Sequence, residues 1–365
     1  MTPVDFMRRH WQKRPLCVPR ALTDDAGLID QDGLFALAQR EDVPSRLVMR
    51  SGRRWTVRHG PFRRAELKRL PARGWSLLVQ GVDQVDARAA RLLRRFSFLP
   101  YARLDDVMVS YAPPGGGVGP HFDSYDVFLL QGAGRRRWQV SAQRDLALVP
   151  DAPLRILERF RPTREWIVET GDLLYLPPRY AHDGVALAGC ITISVGFRAP
   201  SAAELAARFL DHLQDTLAPS GHYRDPDLAP VTHPAALDGT LIDRYAGLLG
   251  AIRWTRADVA DFAGRYLTEP KPHVRFERPR RPLTLTAFAD QLARRGLRLA
   301  LASALLYRST VFFMNGEQQR VAAATARVLR RLADTRSLPP MQLTGEGLDL
   351  LHAWYDAGYV VPGAP

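Results

Sequence analysis

The sequence predicts an α+β protein built on a double-stranded helix of β-strands, followed by a helical unit and a smaller module of helices around a hairpin. Three observations predict it. From Trp75 to Phe197 short apolar or alternating runs are separated by glycine, proline and aspartate, the texture of an antiparallel sandwich or barrel. After Phe197-Arg198-Ala199-Pro200 those runs stop, and leucine, alanine and aromatic residues take up helical spacing. A proline-rich basic linker, Glu269 to Pro282, then separates the last segment, so the expected division is 1–200, 201–270 and 271–365. A length of 365 residues suits two or three such units.

Residues 1–75 mix helical and irregular signals. Thr2 is placed to cap a short first helix, Leu34 to Gln39 reads as part of another, and His59-Gly60-Pro61-Phe62 as a turn. The aromatic and basic cluster His10 to Pro15 suits an anchor of the N-terminus on the barrel. Strands are expected at Trp75–Val79, Val107–Ala112, Val127–Leu130, Arg136–Val140, Trp166–Val168, Leu173–Leu176 and Cys190–Phe197. Turn residues near Gly132 to Gly134 and Glu169 to Asp172 join them as hairpins. Helices are expected at Ala202–Leu217, Ala235–Leu249 and Thr255–Leu267, the last opened by a capping pair, Thr255 and Asp258, and closed by Pro270 and Pro272. Beyond the linker come a helix near Ala287–Arg295, strand-like Leu299–Leu306 and Ser309–Phe313, and helices at Val321–Ala333 and Gly345–Ala357. This order is winged-helix-like. Such a module can bind DNA through a basic recognition helix, but Val321–Ala333 is basic mainly at Arg327, Arg330 and Arg331. Packing or substrate docking is the preferred role, and direct nucleic-acid binding is not expected.

The composition, 46% hydrophobic, is that of a globular protein. No run approaches the ~18 consecutive apolar residues of a membrane span, and Met1 to His10 has charge without an apolar signal core. A cytoplasmic protein with no membrane partner is expected. Cys17 and Cys190 are too few and too far apart for a disulfide framework or a zinc knuckle, and read as apolar packing. The net charge of +13 suits a polyanionic neighbour such as RNA or a nucleic-acid-bound protein. It suits solubility equally well, because the charge is spread along the chain without a long basic block or an RNA-stacking motif.

The chemistry centres on His121-Phe122-Asp123, just after the glycine-rich turn Pro113 to Pro120. Residues two apart on a strand share a face, so His121 and Asp123 can point at one ion while Phe122 packs away from it. The pair alone is a weak signal that many surface loops carry by chance. A third donor comes from Gly171 to Gly184, where a strand ends at Pro177-Pro178 and a turn delivers His182. Two histidines and a carboxylate on one face of an octahedral ion leave three sites open, which suits Fe(II) with a chelating co-substrate and dioxygen; zinc hydrolysis needs one open site. A dicarboxylic co-substrate also needs a fixed cation. Alternation puts Arg136 on the face of Trp138 and Arg135 and Arg137 on the other, which makes Arg136 the expected carboxylate anchor. Arg135 and Arg137 fit a charged strand edge. Ser110 and Ser194 are candidates for further hydroxyl contacts to the co-substrate and are equally ordinary strand residues.

The stretches Gly115 to Phe128, Gln131 to Trp138, Gly171 to Pro178 and Ser194 to Pro200, with His10 to Pro15 and Ser45 to Val48, resemble the bacterial ribosomal oxygenases of the JmjC (cupin) type. The helical middle and the winged-helix-like end resemble that family's layout too. The resemblance implies an Fe(II)- and 2-oxoglutarate-dependent protein hydroxylase, a dioxygenase. Bacterial members 3-hydroxylate an arginine of the sixteenth protein of the large ribosomal subunit, as homodimers formed through the helical middle segment. Carried over by position, His121, Asp123 and His182 are the metal ligands and Arg136 binds the far carboxylate of 2-oxoglutarate. Arg179 stands where a glycine is usual, which bears on the local backbone rather than on the ligand. A cationic substrate wants acidic or aromatic partners at the mouth, and Tyr125, Asp126 and Tyr111 are nearest in sequence. Core packing accounts equally for Tyr111, and a turn end for Asp126. Two rival readings stay open: another target such as a histidine, and a non-catalytic nucleic-acid-binding protein with a relic barrel, against which the intact donor set argues.

Overall fold

The structure, a computed structural model, describes residues 2–52, 54–217, 222–226 and 228–363. Eleven strands form the barrel: β1 (Leu16–Val18), β2 (Ser45–Ser51), β3 (Arg54–His59), β4 (Trp75–Val79), β5 (Leu104–Ala112), β6 (Val127–Ala133), β7 (Arg136–Ser141), β8 (Arg164–Val168), β9 (Leu173–Leu176), β10 (Ala181–Ala186) and β11 (Cys190–Phe197). The larger sheet runs β1-β9-β6-β11-β5-β4-β2-β3 and the smaller β10-β7-β8, every pair antiparallel. The sheets face each other through one buried cluster, in which Val127, Leu129, Leu174 and Leu176 meet Trp138, Val140 and Val168. The other face of the large sheet is covered by α1 (Pro3–Arg9), α2 (Gln31–Leu37), α3 (Arg64–Lys68) and α4 (Ala87–Arg94), with Phe6, Leu34, Phe35, Leu67 and Leu92 in its core. Coverage on both sides explains why β4 and β6 read as largely apolar runs, whereas β11 alternates, with Ile191, Ile193, Val195 and Phe197 in the helix-covered core and Thr192, Ser194 and Gly196 on the cavity.

The N-terminus is anchored where the aromatic-basic cluster suggests. Thr2 caps α1 by accepting the Asp5 N–H at 3.2 Å. Trp11 stacks on Tyr175, whose hydroxyl accepts the Gln12 N–H at 2.7 Å. Residues 45–59, expected as irregular framework, instead form the β2–β3 hairpin that extends the large sheet. Arg46, Arg50, Arg54 and Arg58 break the apolar pattern there, and β3 is an edge strand, where charged residues guard against further pairing.

After the barrel come α5 (Ala202–Thr216), α6 (Gly239–Gly250) and α7 (Arg256–Thr268). Thr255 and Asp258 cap α7 reciprocally, each side chain accepting the other's backbone N–H. The last module comprises α8 (Leu285–Arg295), β12 (Leu297–Leu299), β13 (Leu305–Arg308), β14 (Val311–Met314), β15 (Glu317–Arg320), α9 (Ala323–Thr335), β16 (Ser337–Leu338), α10 (Glu346–Asp356) and β17 (Val360–Pro362). The run Leu299–Leu306 is not one strand: β12 pairs with β16 and β17, whereas β13 opens the β13-β14-β15 sheet. Phe288, Leu292, Phe312, Leu329, Leu351 and Trp354 fill the core between them. Helix α7 packs on this module, with Gly264 against the Phe313 ring and the Thr268 hydroxyl accepting the Gly316 N–H at 3.0 Å. Among the described residues no helix is long and apolar enough to cross a membrane.

Candidate metal centre

His121 and His182 meet in a single antiparallel bridge, each backbone N–H donating to the other's carbonyl at 2.9 and 2.8 Å. Two local expectations change. His121 and Asp123 lie in the connection between β5 and β6, held by this bridge rather than by a regular strand. His182 belongs to β10 rather than to a turn, and β10 escapes a hydrophobicity reading because Ala181-His182-Asp183-Gly184 carries donor and glycine positions where apolar residues would signal a strand. The turn before it is set by Arg179, at φ +65°, whose N–H donates to the Asp123 carbonyl at 2.7 Å. A left-handed residue with a Cβ costs about 1–2 kcal/mol, which is why glycine is the easier occupant.

Both imidazoles are oriented from behind. His121 Nδ1 lies 2.8 Å from the Gly119 carbonyl and His182 Nδ1 lies 2.9 Å from the Tyr180 carbonyl. A carbonyl only accepts, so each Nδ1 carries the proton and each Nε2 keeps its lone pair for a ligand, the usual arrangement behind metal-binding histidines. His182 Nε2 is 3.7 Å from Asp123 Oδ2, the two rings are 4.2 Å apart, and the donor atoms of His121, Asp123 and His182 all lie within 4.8 Å of one another. Burial, and then the neighbouring His121, hold His182 down to about 4, in the neutral form that can bind a metal. Two imidazoles and one carboxylate converging on a point are the donor set of non-haem Fe(II) sites.

These donors open into a cavity of about 480 Å³ between the sheets. Its floor includes Arg136 and Trp138, 6% and 5% exposed. In the β7–β10 register His182 faces Val140 and Arg136 faces Ala186, an even separation that puts donor and guanidinium on one face. The guanidinium carbon lies 5.5 Å from the Trp138 ring, and Nε and Nη2 find no partner among the described residues. A buried guanidinium with unpaired nitrogens is costly, so the site can accept a carboxylate from a ligand. Ser110 on β5 and Ser194 on β11 line the same cavity, the Ser110 hydroxyl donating to the Thr192 carbonyl at 3.4 Å, and Tyr125 stands at it 41% exposed.

Two candidates are not brought here. Tyr111 faces the other side of β5 and packs on Trp75 and Phe35, because one step along a strand reverses the face. Asp126 is fully buried behind the sheet, accepting the Tyr175 hydroxyl at 2.6 Å and the Gln12 amide at 2.9 Å, so it anchors the N-terminal segment. Sequence reasoning missed Arg46, Asp105, Asp106 and Met108, which line the cavity. The parity of Ser110 on β5 carries the signal for Met108 and Asp106, two and four residues before it.

Residues 91–205 match the family model described as a JmjC domain, and residues 251–360 match the ROXA-like winged helix. The chain is 43% identical over 232 residues to the ribosomal protein uL16 3-hydroxylase of Escherichia coli, an alignment spanning 63% of this chain and 62% of that protein. It is 39% identical over 232 residues to a probable ribosomal oxygenase of Haemophilus influenzae, across 62% of this chain and 55% of that one. The chain therefore spans less than two thirds of either curated relative in sequence alignment. In three dimensions it matches YcfD, a ribosomal oxygenase from Escherichia coli solved with cobalt and 2-oxoglutarate, over 99% of this chain and 98% of that one, with a TM-score of 0.84 and 32% identity. The chain belongs to the JmjC-type ribosomal oxygenases. In this chain the JmjC match runs from within α4 into α5, and the winged-helix match begins ahead of α7, the helix seated on Phe313.

Proposed function

We propose that this chain is an Fe(II)- and 2-oxoglutarate-dependent dioxygenase that 3-hydroxylates an arginine of the large-subunit ribosomal protein uL16. The observation that carries this reading is the buried Arg136 guanidinium, whose Nε and Nη2 find no partner among the described residues, in the cavity of the His121, Asp123 and His182 donors. A chelating dicarboxylate needs a metal at one end and a fixed cation at the other. Iron with 2-oxoglutarate and dioxygen supplies the oxidising power for C–H hydroxylation when bound. The side chains supply binding and orientation: His121 and His182 through Nε2 and Asp123 through its carboxylate would hold the ion, and Arg136 would take the far carboxylate of 2-oxoglutarate, flanked by the Ser110 and Ser194 hydroxyls. The relative named for uL16 3-hydroxylation and the YcfD complex with 2-oxoglutarate support it.

Arginine is favoured over histidine as the target by the cavity's acidic wall. Asp105 and Asp106 line it, and Asp106 is only 8% exposed. A permanently charged guanidinium gains more from a buried carboxylate than an imidazole, which is mostly neutral at cellular pH. Tyr125 offers an aromatic face beside them. A homodimer formed through residues 201–270, between a barrel at 1–200 and a winged-helix-like unit at 271–365, belongs to the same proposal: α5 and α6 expose Leu210, Ile242, Tyr245 and Leu249, the kind of apolar patch a second copy covers. A ribosomal-protein substrate puts the reaction in the cytoplasm, with no membrane or direct nucleic-acid partner required.

The test is intact-mass and fragment analysis of uL16 incubated with the protein, iron, ascorbate and 2-oxoglutarate. One added oxygen on a single arginine is expected, and none with His121→Ala. Equal results for the two proteins, or oxygen placed on a histidine, overturn the assignment.

A further inference from the structure

We propose that Lys271, in the linker between α7 and the winged-helix-like unit, is a positioning residue that holds the Asp106 carboxylate turned toward the cavity for a cationic substrate side chain. This rests on the reading of the substrate as an arginine.

Lys271 Nζ lies 3.0 Å from Asp105 Oδ1 and 3.5 Å from Asp106 Oδ2. The Gly81 N–H donates to that same Asp106 oxygen at 3.2 Å. Both contacts therefore fall on Oδ2, while Oδ1 lies beside Gly196, a residue of the cavity wall, and has no hydrogen-bond partner among the described residues. The outer oxygen is pinned and the inner one is left to accept. Lys271 itself does not line this cavity; it lines the neighbouring cleft between the barrel and the C-terminal module, where Asp105 is shared.

The carboxylate needs that ammonium. Asp106 is buried, Asp105 adjoins it, and Asp83, also buried, accepts the Val107 N–H at 2.8 Å. Three carboxylates crowd one corner, and among the described residues Lys271 is the only ion-pair partner of Asp106. Burial pushes Asp106 toward its neutral form, and Lys271 opposes this. Nor is Lys271 a loose surface lysine. Pro270 and Pro272 restrict the backbone on either side. The preceding turn is tied down as Arg198 donates to the Leu267 carbonyl at 2.6 Å.

The experiment uses the full chain loaded with iron and a uL16 peptide carrying the target arginine, with a citrulline peptide as the neutral counterpart. Lys271→Met and Lys271→Gln are each expected to raise KM for the arginine peptide about tenfold, the loss of one charge-assisted contact, with a much smaller change in kcat. Lys271→Arg should restore KM to within a few fold. In an Asp106→Asn background, Lys271→Met should add nothing, because the group it acts through is gone. Apparent affinity for 2-oxoglutarate, read by its uncoupled decarboxylation, reports that the barrel is intact. A wild-type or lower KM in the Met or Gln variant overturns the assignment, as does a loss confined to kcat, or failure of both variants to fold. If wild type handles arginine and citrulline peptides with equal KM, the cationic-substrate reading fails instead.

Discussion

Replacing Arg136 by methionine should separate ligand binding from folding. The side chain is 6% exposed, and its Nε and Nη2 have no partner among the described residues. Each unpaired buried polar group costs about 1–3 kcal/mol, and an uncompensated buried charge costs more. Methionine keeps the length and the apolar stem beside Trp138 without the charge. The ligand-free variant should therefore be at least as stable as wild type, and about 1–3 kcal/mol more stable if the penalty is fully relieved. With 2-oxoglutarate the order reverses. Breaking a buried charge pair costs about 3–5 kcal/mol, which lowers affinity by about two to three and a half orders of magnitude. At a ligand concentration that gives wild type about 2.7 kcal/mol of added stability, a hundredfold above its Kd, the variant should gain almost none. Urea denaturation with and without 2-oxoglutarate, at fixed metal, reads both effects. A variant that loses more than about 2 kcal/mol without ligand and still responds to 2-oxoglutarate refutes the reasoning, since Arg136 would then be holding the barrel together. The anchor would move to Arg46, the other cavity arginine with an unpartnered buried nitrogen.

Three further outcomes are expected. A Cβ on Gly184 would stand 2.5–2.8 Å from the Trp138 ring, which itself lies 5.9 Å from the His182 ring. Gly184→Ala should thus cost about 1–3 kcal/mol in denaturation and weaken metal binding in titration; unchanged values for both would show that Trp138 yields freely. Asp83 is raised to about 7, chiefly by burial and next by Asp106, while the Val107 N–H opposes the rise. The folded chain therefore binds a proton there that the unfolded chain releases above about 4, so this residue's stabilisation is complete below about pH 4 and is lost as pH rises to 7 and beyond. Asp83→Asn keeps the acceptor for Val107, and its stability advantage over wild type should grow by a few kcal/mol between about pH 4 and 8; a constant difference across that range contradicts the sign. If the proposed homodimer forms through α5, Leu210→Asp on its exposed face should halve the mass seen by light scattering; a two-copy mass in the variant would move the interface elsewhere, and a one-copy mass for wild type would remove the dimer.

Much of the barrel is legible because its chemistry is local. The expected strands Trp75–Val79, Leu173–Leu176 and Cys190–Phe197 coincide with β4, β9 and β11, since burial on both faces leaves apolar runs in β4 and β9, and a core face opposite a cavity face leaves strict alternation in β11. The hairpin β2–β3 is hidden by its own arginines, and β10 by the histidine and glycine that its position demands. The donor triad is legible for a different reason. Few residue types bind iron, and two short segments carry them, so His121, Asp123 and His182 can be paired without knowing the strand register.

The mouth of the cavity obeys no such economy. Proximity in sequence points to Tyr125 and Asp126 together, yet they part, Tyr125 to the cavity and Asp126 to the N-terminal anchor. Strand parity is the better guide to the cavity wall. Counting back from Ser110 in twos reaches Met108 and Asp106, and all three line the cavity. Parity places Asp106 on the wall but cannot say how a carboxylate survives there. That depends on Gly81 before β5 and on Lys271 beyond α7, which meet Asp106 only after the chain has folded back over the barrel. A residue's side of a sheet is thus written in its own strand, whereas its charge is set by segments far away in sequence. It is at the second step that the linker before the winged-helix-like unit acquires a part in recognising the substrate.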